Sequence, residues 1–404
     1  MGRENTVFRD ERQTAEPDLW QTEPRYEADP CHLLVTTGAS PGSSNNSGSR
    51  EEHDVVQPLQ APAPPAAHAA SADGPAAAAP AAGAPAPLTP DAVGQLGALV
   101  QASIAKVVLG KPDVVRLAVV ALLTEGHLLI EDVPGTGKTS LAKALAKSVD
   151  ASVSRVQFTP DLMPSDVTGV SIYDRQSGRF EFRPGPIFAN IVVADEINRA
   201  SPKTQSALLE SMEERQVTVD GTSYQLGRPF LVLATQNPVE MEGTYPLPEA
   251  QRDRFLARTA IGYPDPASEV AMLAGRDRSD PLDTLTPVID ARTVTALIAA
   301  TNTVHVAPEL RQYIVDVVGA TRVMPEVRLG ASPRAVLHLG RAAKAAAALD
   351  GRPYIVPDDI QRLAVPVLAH RLLLTVEAHA AHRSPEEIVS VILSRVRVPR
   401  GSGA

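Results

Sequence analysis

The stretch HLLIEDVPGTGKTS, residues 127–140, decides the fold class. It opens with HLLIE, which is short and mostly apolar like a buried β-strand, and the run LAKALAKSV that follows the stretch is typical of a helix. Between them lies DVPGTGKT, a glycine-rich turn in the strand-to-helix setting that a phosphate-binding loop requires. Backbone N–H groups of such a loop wrap phosphate oxygens, and the helix N-terminus adds its positive dipole end. The stretch therefore predicts a nucleotide-binding α/β core.

The loop supplies most of the candidate ligands. Lys138 would reach the β- and γ-phosphates of a nucleotide, and the Thr139 hydroxyl would bind Mg²⁺. The residues that we expect to contact the nucleotide are Pro134, Gly135, Thr136, Gly137, Lys138, Thr139 and Ser140. The usual pattern, G-x-x-x-x-G-K-[ST], has glycine where this chain has Asp132. A carboxylate there would repel phosphate unless its side chain points away, so Asp132 bears on ATP affinity and not on nucleotide identity.

Two carboxylates end the apolar run IVVADE, residues 191–196. Asp195 can hold Mg²⁺ through water, and Glu196 can polarise the attacking water. An apolar strand that ends in two acids is weak evidence by itself. Because Asp195 follows Lys138 by 57 residues, within one nucleotide-binding core, the combination predicts Mg²⁺-dependent ATP hydrolysis.

Four further polar residues fit such a site. Asn237 follows the apolar run in LATQNP and could orient the attacking water, although Asn-Pro also starts turns. Arg252 and Arg254 lie in EAQRDRF, and Arg334 lies in SPRA at the start of a predicted helix. Arginines stabilise the charge of a phosphoryl-transfer transition state, but single arginines more often form surface ion pairs.

The rest of the chain divides by its pattern. Extended runs near residues 154, 190 and 230 alternate with helical stretches, which predicts a parallel sheet covered by helices. Strand signals stop after about residue 264, and the periodicity beyond it is helical. We expect a nucleotide-binding core over residues 89–264, a small all-helical domain over 265–398 and a flexible end over 399–404.

Residues 1–88 differ in composition, with 12 acidic and 5 basic side chains against 35 and 33 in the remainder. Residues 61–86 contain 15 alanines mixed with proline and glycine and offer no side chains for a core, so we expect a disordered tail. Trp20 and Tyr26 in this tail could belong to a short docking motif. The single Cys31 excludes an internal disulfide framework or a cysteine-rich zinc site.

Charge and hydropathy exclude other classes of protein. The near-neutral remainder argues against nonspecific nucleic-acid binding, and we expect no direct nucleic-acid partner. No run approaches the roughly 20 apolar residues of a membrane span, so we expect a cytoplasmic protein without membrane insertion. His370, His379 and His382 are spread over a predicted helix and turn without metal-type clustering, and we expect them at the surface.

The order of phosphate loop, acidic strand, asparagine strand, paired arginines and helical lid resembles that of AAA+ ATPases, and more specifically the MoxR family. The similarity covers about residues 89–398. Its most specific stretches are FTPDLMPSDVTG, RPGPIFANIVVADEINRASPKTQSALLESMEERQVTVDG, LATQNPVEMEGTYPLPEAQRDRF and GASPRA.

This resemblance implies roles for the candidate residues. They are Lys138 and Thr139 as the Walker A pair, Asp195 and Glu196 as the Walker B pair, Asn237 as sensor 1, Arg254 as the arginine finger and Arg334 as sensor 2. The finger would act on a neighbouring subunit's ATP within a homo-oligomeric ring, usually a hexamer in relatives. Because Arg252 lies so near, the choice between it and Arg254 stays open. The adenine is expected near Val108, Leu109 and Gly110, with Phe158 in the core and Tyr173 on a hairpin.

MoxR-like proteins also carry two hairpin insertions. Residues 168–182 have β-prone runs flanking a Ser-Gly turn, and residues 216–226 have an Asp-Gly turn between alternating strands. In related rings such insertions face the pore or a partner, although both could simply decorate the sheet.

The function that the resemblance implies is hydrolysis of ATP to ADP and phosphate, coupled to chaperone-like remodelling, maturation or metal-cofactor insertion of protein complexes. Partners with a von Willebrand factor type A domain are expected from the family alone. A magnesium-chelatase-like motor subunit remains an alternative. A nucleic-acid remodelling ATPase is disfavoured by the neutral core, and a nonhydrolysing nucleotide sensor by the presence of Glu196 and Asn237.

Overall fold

The computed structural model describes residues 88–133, 135–237, 244–276 and 280–399. The predictions about the tail, including those for Trp20, Tyr26 and Cys31, lie outside the described residues. So do Pro134 and nearly all of the predicted flexible end at residues 399–404.

Helices and strands alternate through the first half of the described chain, and helices dominate the second half. The helices are α1 (Pro90–Ala105), α2 (Pro112–Leu123), α3 (Lys138–Ser148), α4 (Pro164–Thr168), α5 (Pro202–Glu214), α6 (Glu249–Arg252), α7 (Pro266–Arg276), α8 (Ala291–Asn302), α9 (Pro308–Ala320), α10 (Pro333–Leu349), α11 (Pro357–Leu368), α12 (Val376–Ala380) and α13 (Pro385–Arg395), with 3₁₀ turns at Ile197–Arg199 and Ala369–Arg371. The strands are β1 (Leu128–Glu131), β2 (Val153–Gln157), β3 (Gly169–Asp174), β4 (Arg179–Pro184), β5 (Ile191–Asp195), β6 (Gln216–Val219), β7 (Thr222–Gln225), β8 (Leu231–Gln236), β9 (Ala257–Thr259), β10 (Val327–Leu329) and β11 (Leu373–Leu374).

The central sheet has the order β2-β5-β8-β1-β9, and every neighbouring pair in it is parallel. This confirms the predicted α/β class. The sequence predicted four of these strands but missed β9, whose three residues contain no apolar run. Because the strands are parallel, their ends form two opposite edges. We call the edge after Glu131, Gln157, Asp195 and Gln236 the carboxyl edge, and the edge before Leu128, Ile191, Leu231 and Ala257 the amino edge.

Successive residues of a strand point to opposite faces of the sheet, so the apolar core has one part on each face. Leu128 and Ile130 of β1 pack into one apolar cluster, and Leu129 between them packs into the other. The first cluster joins α1, α2 and α3 to the C-terminal helices without interruption. Arg116 of α2 adds polar contacts, since its Nη2 donates to the Ala346 oxygen of α10 (3.1 Å) and to Asp350 Oδ1 (2.8 Å). The C-terminal helices are therefore packed directly onto the core.

The region after residue 264 is helical, as predicted, but it also contains a short antiparallel pair, β10 with β11. An isolated bridge joins His305 and Tyr354 as well. Strands of two and three residues are too short to produce a period-2 pattern that could be recognised in the sequence.

Both predicted hairpins are present. β3 and β4 pair from Gly169↔Pro184 to Asp174↔Arg179, two residues beyond the predicted end at 182. β6 and β7 pair around the predicted Asp-Gly turn. Phe182 of the first hairpin stacks on Tyr224 of the second, with ring centroids 3.9 Å apart and planes at 16°. The insertions therefore pack against each other and not only against the sheet.

The prediction that His370 is a surface residue is wrong. It lies in the 3₁₀ turn after α11 with 1% of its surface exposed, whereas His379 and His382 are exposed as predicted. Burial, followed by the charge of neighbouring Arg371, holds the pKa of His370 well below its ordinary value. The neutral ring is a core residue at this position.

We expect acid to destabilise the fold through a second buried histidine, His127. Its Nδ1 accepts from the Val232 N–H (3.0 Å), its Nε2 contacts the Met212 oxygen (3.1 Å), and burial lowers its pKa from 6.5 to about 4. Because the unfolded chain takes up this proton first, stability is complete above pH 6.5 and is lost as the pH falls toward 4. At pH 5 the loss from His127 alone should be about 2 kcal/mol.

Urea unfolding at about pH 7.5 and pH 5 measures this loss. His127→Asn keeps an acceptor for Val232 without a titrating ring and should flatten the pH dependence. His379→Asn, a change at an exposed histidine, should not alter it. An equal slope in the wild type and the His127 variant would contradict the assignment.

Candidate active site

The glycine-rich loop joins β1 to α3 at the carboxyl edge. Gly135 and Gly137 have φ of 85° and 90°, in the left-handed region, and a Cβ added at either would meet no atom within 4 Å. Backbone conformation, not crowding, therefore requires glycine at both positions. Gly137 is also the N-cap of α3, so the positive end of that helix dipole lies at the loop, as an anion site requires.

Lys138 lies against this loop. Its Nζ donates to the main-chain oxygens of Asp132 (3.1 Å) and Val133 (2.7 Å). Thr136 Oγ1 contacts the same Val133 oxygen (3.3 Å). The ammonium group is thus held beside the backbone that would enclose the phosphates.

Asp132 is directed toward the segment after β9. Its Oδ2 accepts from the N–H groups of Ile261 (2.9 Å) and Gly262 (2.7 Å), and its Oδ1 accepts from that of Val133 (2.8 Å). Three amide donors therefore compensate the charge of this buried carboxylate. Asp132, which stands where the usual pattern has glycine, thus anchors the loop to the segment after β9. We expect its carboxylate to lower the affinity for phosphate only slightly.

Asp195 and Thr139 meet where β5 and α3 approach each other. Thr139 Oγ1 lies 3.5 Å from Asp195 Oδ2, and Arg155 Nε donates to that same oxygen at 2.5 Å. The other carboxylate oxygen, Oδ1, accepts from Thr235 Oγ1 of neighbouring β8 at 3.2 Å. The Asp195 side chain is consequently fixed from three sides.

Glu196 follows β5 in the left-handed region, with φ of 56°. Its N–H donates to Thr235 Oγ1 (2.9 Å), and its Oε2 accepts from Gln157 Nε2 (3.0 Å). The same Oε2 forms an ion pair with Arg199 Nε (3.0 Å). A non-glycine residue in this region costs on the order of 1–2 kcal/mol, and such strain is concentrated at functional sites. The turn directs the Glu196 side chain across the carboxyl edge toward β2.

Asn237 is buried immediately after β8, which lies between β5 and β1 in the sheet. The structure thus brings Lys138, Thr139, Asp195 and Glu196 to one edge, with Asn237 in the middle of it.

The two arginines assigned from the resemblance lie elsewhere. Arg254 Nε is 3.1 Å from Glu213 Oε2, and Arg334 Nη2 contacts the other oxygen of the same carboxylate. They line a cavity of about 200 Å³ together with Gly126, His127 and Leu256, which belong to the amino edge. The phosphate loop is at the opposite edge, and residues 127–132 of an extended strand span roughly 16 Å. Neither arginine can therefore reach a nucleotide held by the loop of its own chain.

Arg252 differs from Arg254 in its surroundings. Its Nε is buried without a hydrogen-bond partner among the described residues, and the charge of Arg252 contributes to lowering the pKa of buried His370. Arg254 lines the cavity and forms an ion pair with Glu213.

A second cavity, of about 690 Å³, adjoins the phosphate loop through Ile261, whose N–H binds Asp132. Its walls come from α2, from the residues at and after β9 and from α11. Of the three residues expected near adenine, Gly110 lines this cavity, while Val108 is buried in the apolar core. Phe158 is fully buried, and Tyr173 packs on Phe180 of its hairpin, both as expected.

Comparisons with known proteins agree with this fold. Residues 127–257 match the sequence profile of the ATPase family associated with various cellular activities (AAA), and residues 319–392 match that of the AAA lid domain. Chaperone MoxR1 of Mycobacterium tuberculosis is 42% identical over 308 residues, which are 74% of this chain and 81% of that protein. The chain belongs to the MoxR family of AAA+ ATPases. It is therefore an ATPase, and its family implies nucleotide binding.

Other similar proteins match comparable shares of the chain. Protein MoxR of Paracoccus denitrificans is 33% identical over 68% of this chain and 88% of its own length. The uncharacterised protein YeaC of Bacillus subtilis is 54% identical over 73% of this chain and 92% of its own. The crystal structure of a putative ATPase from Cytophaga hutchinsonii superimposes with a TM-score of 0.71 at 40% identity, covering 76% of this chain and 96% of that one. Across the described ranges, no helix has the length and apolar character needed to cross a membrane.

Sequence reasoning missed several residues of this MoxR-family site. Arg155 and Gln157 occupy alternating polar positions of β2, which are expected on any exposed strand. Thr235 belongs to an apolar run, and Glu213 belongs to an acidic helix end. Only the position of Gln157 at the end of a strand could have indicated a site residue.

Proposed function

We propose that this MoxR-family chain binds ATP with Mg²⁺ at the carboxyl edge and hydrolyses it to ADP and phosphate within a homo-oligomeric ring, most simply a hexamer. The observation that carries the proposal is the separation of two incomplete half-sites on one chain. Lys138, Thr139 and Glu196 lie at one edge, and Arg254 and Arg334 lie at the other. Head-to-tail packing of identical subunits would bring the arginines of one chain to the nucleotide of the next, and such packing gives a ring when the rotation between subunits closes.

Within this proposal the loop backbone and Lys138 bind the phosphates, and Thr139 and Asp195 hold Mg²⁺. Their oxygens fit that ion, which prefers oxygen ligands and keeps several of its waters. When bound, Mg²⁺ neutralises charge that develops on the phosphates. Glu196, held by Gln157 and Arg199, orients the attacking water and accepts its proton, while Asn237 fixes the position of that water. The cavity beside Gly110 would receive the adenine.

We further propose a chaperone-like use of this ATPase activity, the remodelling or maturation of partner protein complexes, including the insertion of metal cofactors. Support comes from the relative named Chaperone MoxR1 and from the first hairpin, where Tyr173 and Phe180 expose 53% and 73% of their surface. Exposed apolar surface of this kind is typical of protein-binding sites. Partners with a von Willebrand factor type A domain remain an expectation from the resemblance.

The ring proposal predicts that Arg254→Ala lowers the turnover of neighbouring subunits. We expect kcat to fall roughly 10²-fold in the pure variant, because a transition-state charge loses its arginine. We also expect an equal mixture with wild type to fall well below half of the wild-type rate. Steady-state ATP hydrolysis at increasing total protein concentration measures both effects, and the specific rate of wild type should rise with concentration.

Arg292→Ala, a change at an exposed arginine of α8, is the matched control and should only dilute the wild type. If mixtures containing Arg254→Ala follow simple dilution too, the arginine does not act between subunits and the ring mechanism fails.

A further inference from the structure

Glu213 joins the two arginines of the amino edge. One of its carboxylate oxygens forms an ion pair with Arg254 Nε at 3.1 Å, and the other accepts a hydrogen bond from Arg334 Nη2. Arg254 follows α6 of the core and Arg334 lies in the first turn of α10, so the pair bridges the nucleotide-binding core and the C-terminal helices. Glu213 itself lies in the last turn of α5, which begins just after the Glu196 turn.

Positively charged side chains surround the Glu213 carboxylate. Arg215 and Arg341 line the same cavity as Arg254 and Arg334, so four arginines border it. His338, also in the wall, adds no positive charge, since burial and Arg371 lower its pKa to about 3. Of the acidic groups that line the cavity, Glu125 is engaged by Arg215 at 2.6 Å. Without Glu213, repulsion would separate Arg254 from Arg334.

Arg254 and Arg334 both have N–H donors that Glu213 does not engage. A guanidinium group has five N–H donors in a planar fork. Arg254 uses its Nε for Glu213, and within the described residues no acceptor pairs with its two terminal nitrogens. Arg334 uses Nη2, and its Nη1 is 4.0 Å from Asp253. A phosphate group approaching from outside could thus bind both arginines while Glu213 still holds them together.

We propose that Glu213 is a positioning residue for hydrolysis in the adjacent subunit: it keeps Arg254 and Arg334 paired and presents their free N–H groups as one unit to that subunit's γ-phosphate. This inference rests on the proposed function, because it requires that the arginines act between subunits. It assigns no contact between Glu213 and the nucleotide. Its effect should therefore appear in kcat and not in ATP binding by the same chain.

The experiment compares Glu213→Gln and Glu213→Ala with Glu214→Gln, a matched change at the exposed neighbouring residue. We expect both Glu213 variants to lower kcat, the alanine variant about tenfold, with the KM for ATP within about twofold of wild type. Added to wild type, they should depress its rate below simple dilution. Glu214→Gln should leave all three quantities unchanged, and thermal unfolding checks that each variant is folded.

A double-mutant cycle with Arg254→Ala separates positioning from a merely structural role. If Glu213 acts by pairing Arg254 with Arg334, Glu213→Gln should cost clearly less in kcat once Arg254 is alanine than it does in the wild-type background. Additive losses, or a Glu213→Gln variant as active as wild type, would overturn the inference while leaving the ring proposal intact. If Arg254→Ala has no effect in mixtures, the ring proposal itself fails, and that outcome is distinguishable because it does not involve Glu213.

Discussion

Glu196→Gln should stop ATP turnover while leaving ATP bound. Glutamine keeps the length and an acceptor oxygen for Arg199, but it cannot take a proton from the attacking water. General-base catalysis contributes roughly 10²–10⁴-fold, so we expect kcat to fall by at least about 10². Phosphate release measured at saturating ATP gives this rate. Binding of a fluorescent ATP analogue should be retained, because the phosphates are held by the loop and Lys138.

The control for this experiment is Glu210→Gln, the same change at an exposed position of α5. The left-handed backbone at Glu196 does not distinguish glutamate from glutamine, so folding should be unaffected. A Glu196→Gln variant that retains more than about a tenth of the wild-type rate would exclude Glu196 as the base. Loss of both binding and turnover would instead indicate that the Glu196 carboxylate has a structural role through its contacts with Gln157 and Arg199.

Local patterns predicted most of the sheet and the carboxyl edge. The apolar runs of β1, β5 and β8 are buried strands, and glycines at φ of 85° and 90° mark the phosphate loop, so their positions could be inferred from a few consecutive residues. The turn of the second hairpin follows in the same way, since Asp220 and Gly221 both have positive φ. Such features depend on neighbours in the chain, which a sequence displays directly.

The amino edge could not be predicted in this way. Arg334 and Glu213 are 121 residues apart, and Arg371 and Asp253 are 118 apart, so nothing in either local sequence specifies the pairing. The sequence predicts His370 at the surface because it belongs to no metal-type cluster of histidines, yet tertiary packing buries it. The resemblance named Arg254 and Arg334 but not their shared carboxylate. The part of the site that we propose to act on a second subunit is thus the part that only the folded chain reveals.

Arg371→Met should be the most destabilising single change at the amino edge. The side chain of Arg371 is 1% exposed, and its Nε donates to Asp253 Oδ1 at 2.9 Å. Its Nη2 donates to the Phe255 oxygen (2.5 Å) and contacts His338 Nδ1 (2.6 Å). Burial lowers its pKa to about 10, so the group remains charged at neutral pH. Breaking such a buried pair costs about 3–5 kcal/mol, and we expect a loss of this size in the free energy of unfolding by urea at pH 7.5.

Methionine is the most informative replacement for Arg371, because it keeps most of the apolar stem and removes the guanidinium N–H donors. The Asp253 carboxylate would then keep Ser332 Oγ (2.8 Å) but lose its ion pair with Arg371, and the Phe255 oxygen would lose a donor inside the core. Arg383→Met breaks an exposed pair with Glu387 (3.6 Å) and should cost less than about 1 kcal/mol. A cost below that of Arg383→Met would show that the Arg371 contacts do not stabilise the fold.

The same substitution should also impair catalysis through Arg254, which directly follows Asp253 in the chain. Arg371 holds the main chain on both sides of Arg254, at the oxygens of Asp253 (3.2 Å) and Phe255 (2.5 Å). Under conditions where Arg371→Met remains folded, its kcat should therefore fall, and it should depress wild type in mixtures as Arg254→Ala does. Asp253→Asn keeps the main-chain contacts of Arg371 and removes the charge of its partner. Its free energy of unfolding should therefore lie between those of wild type and Arg371→Met. An Arg371→Met variant that is unstable yet fully active when folded would mean that Arg254 is positioned by Glu213 alone.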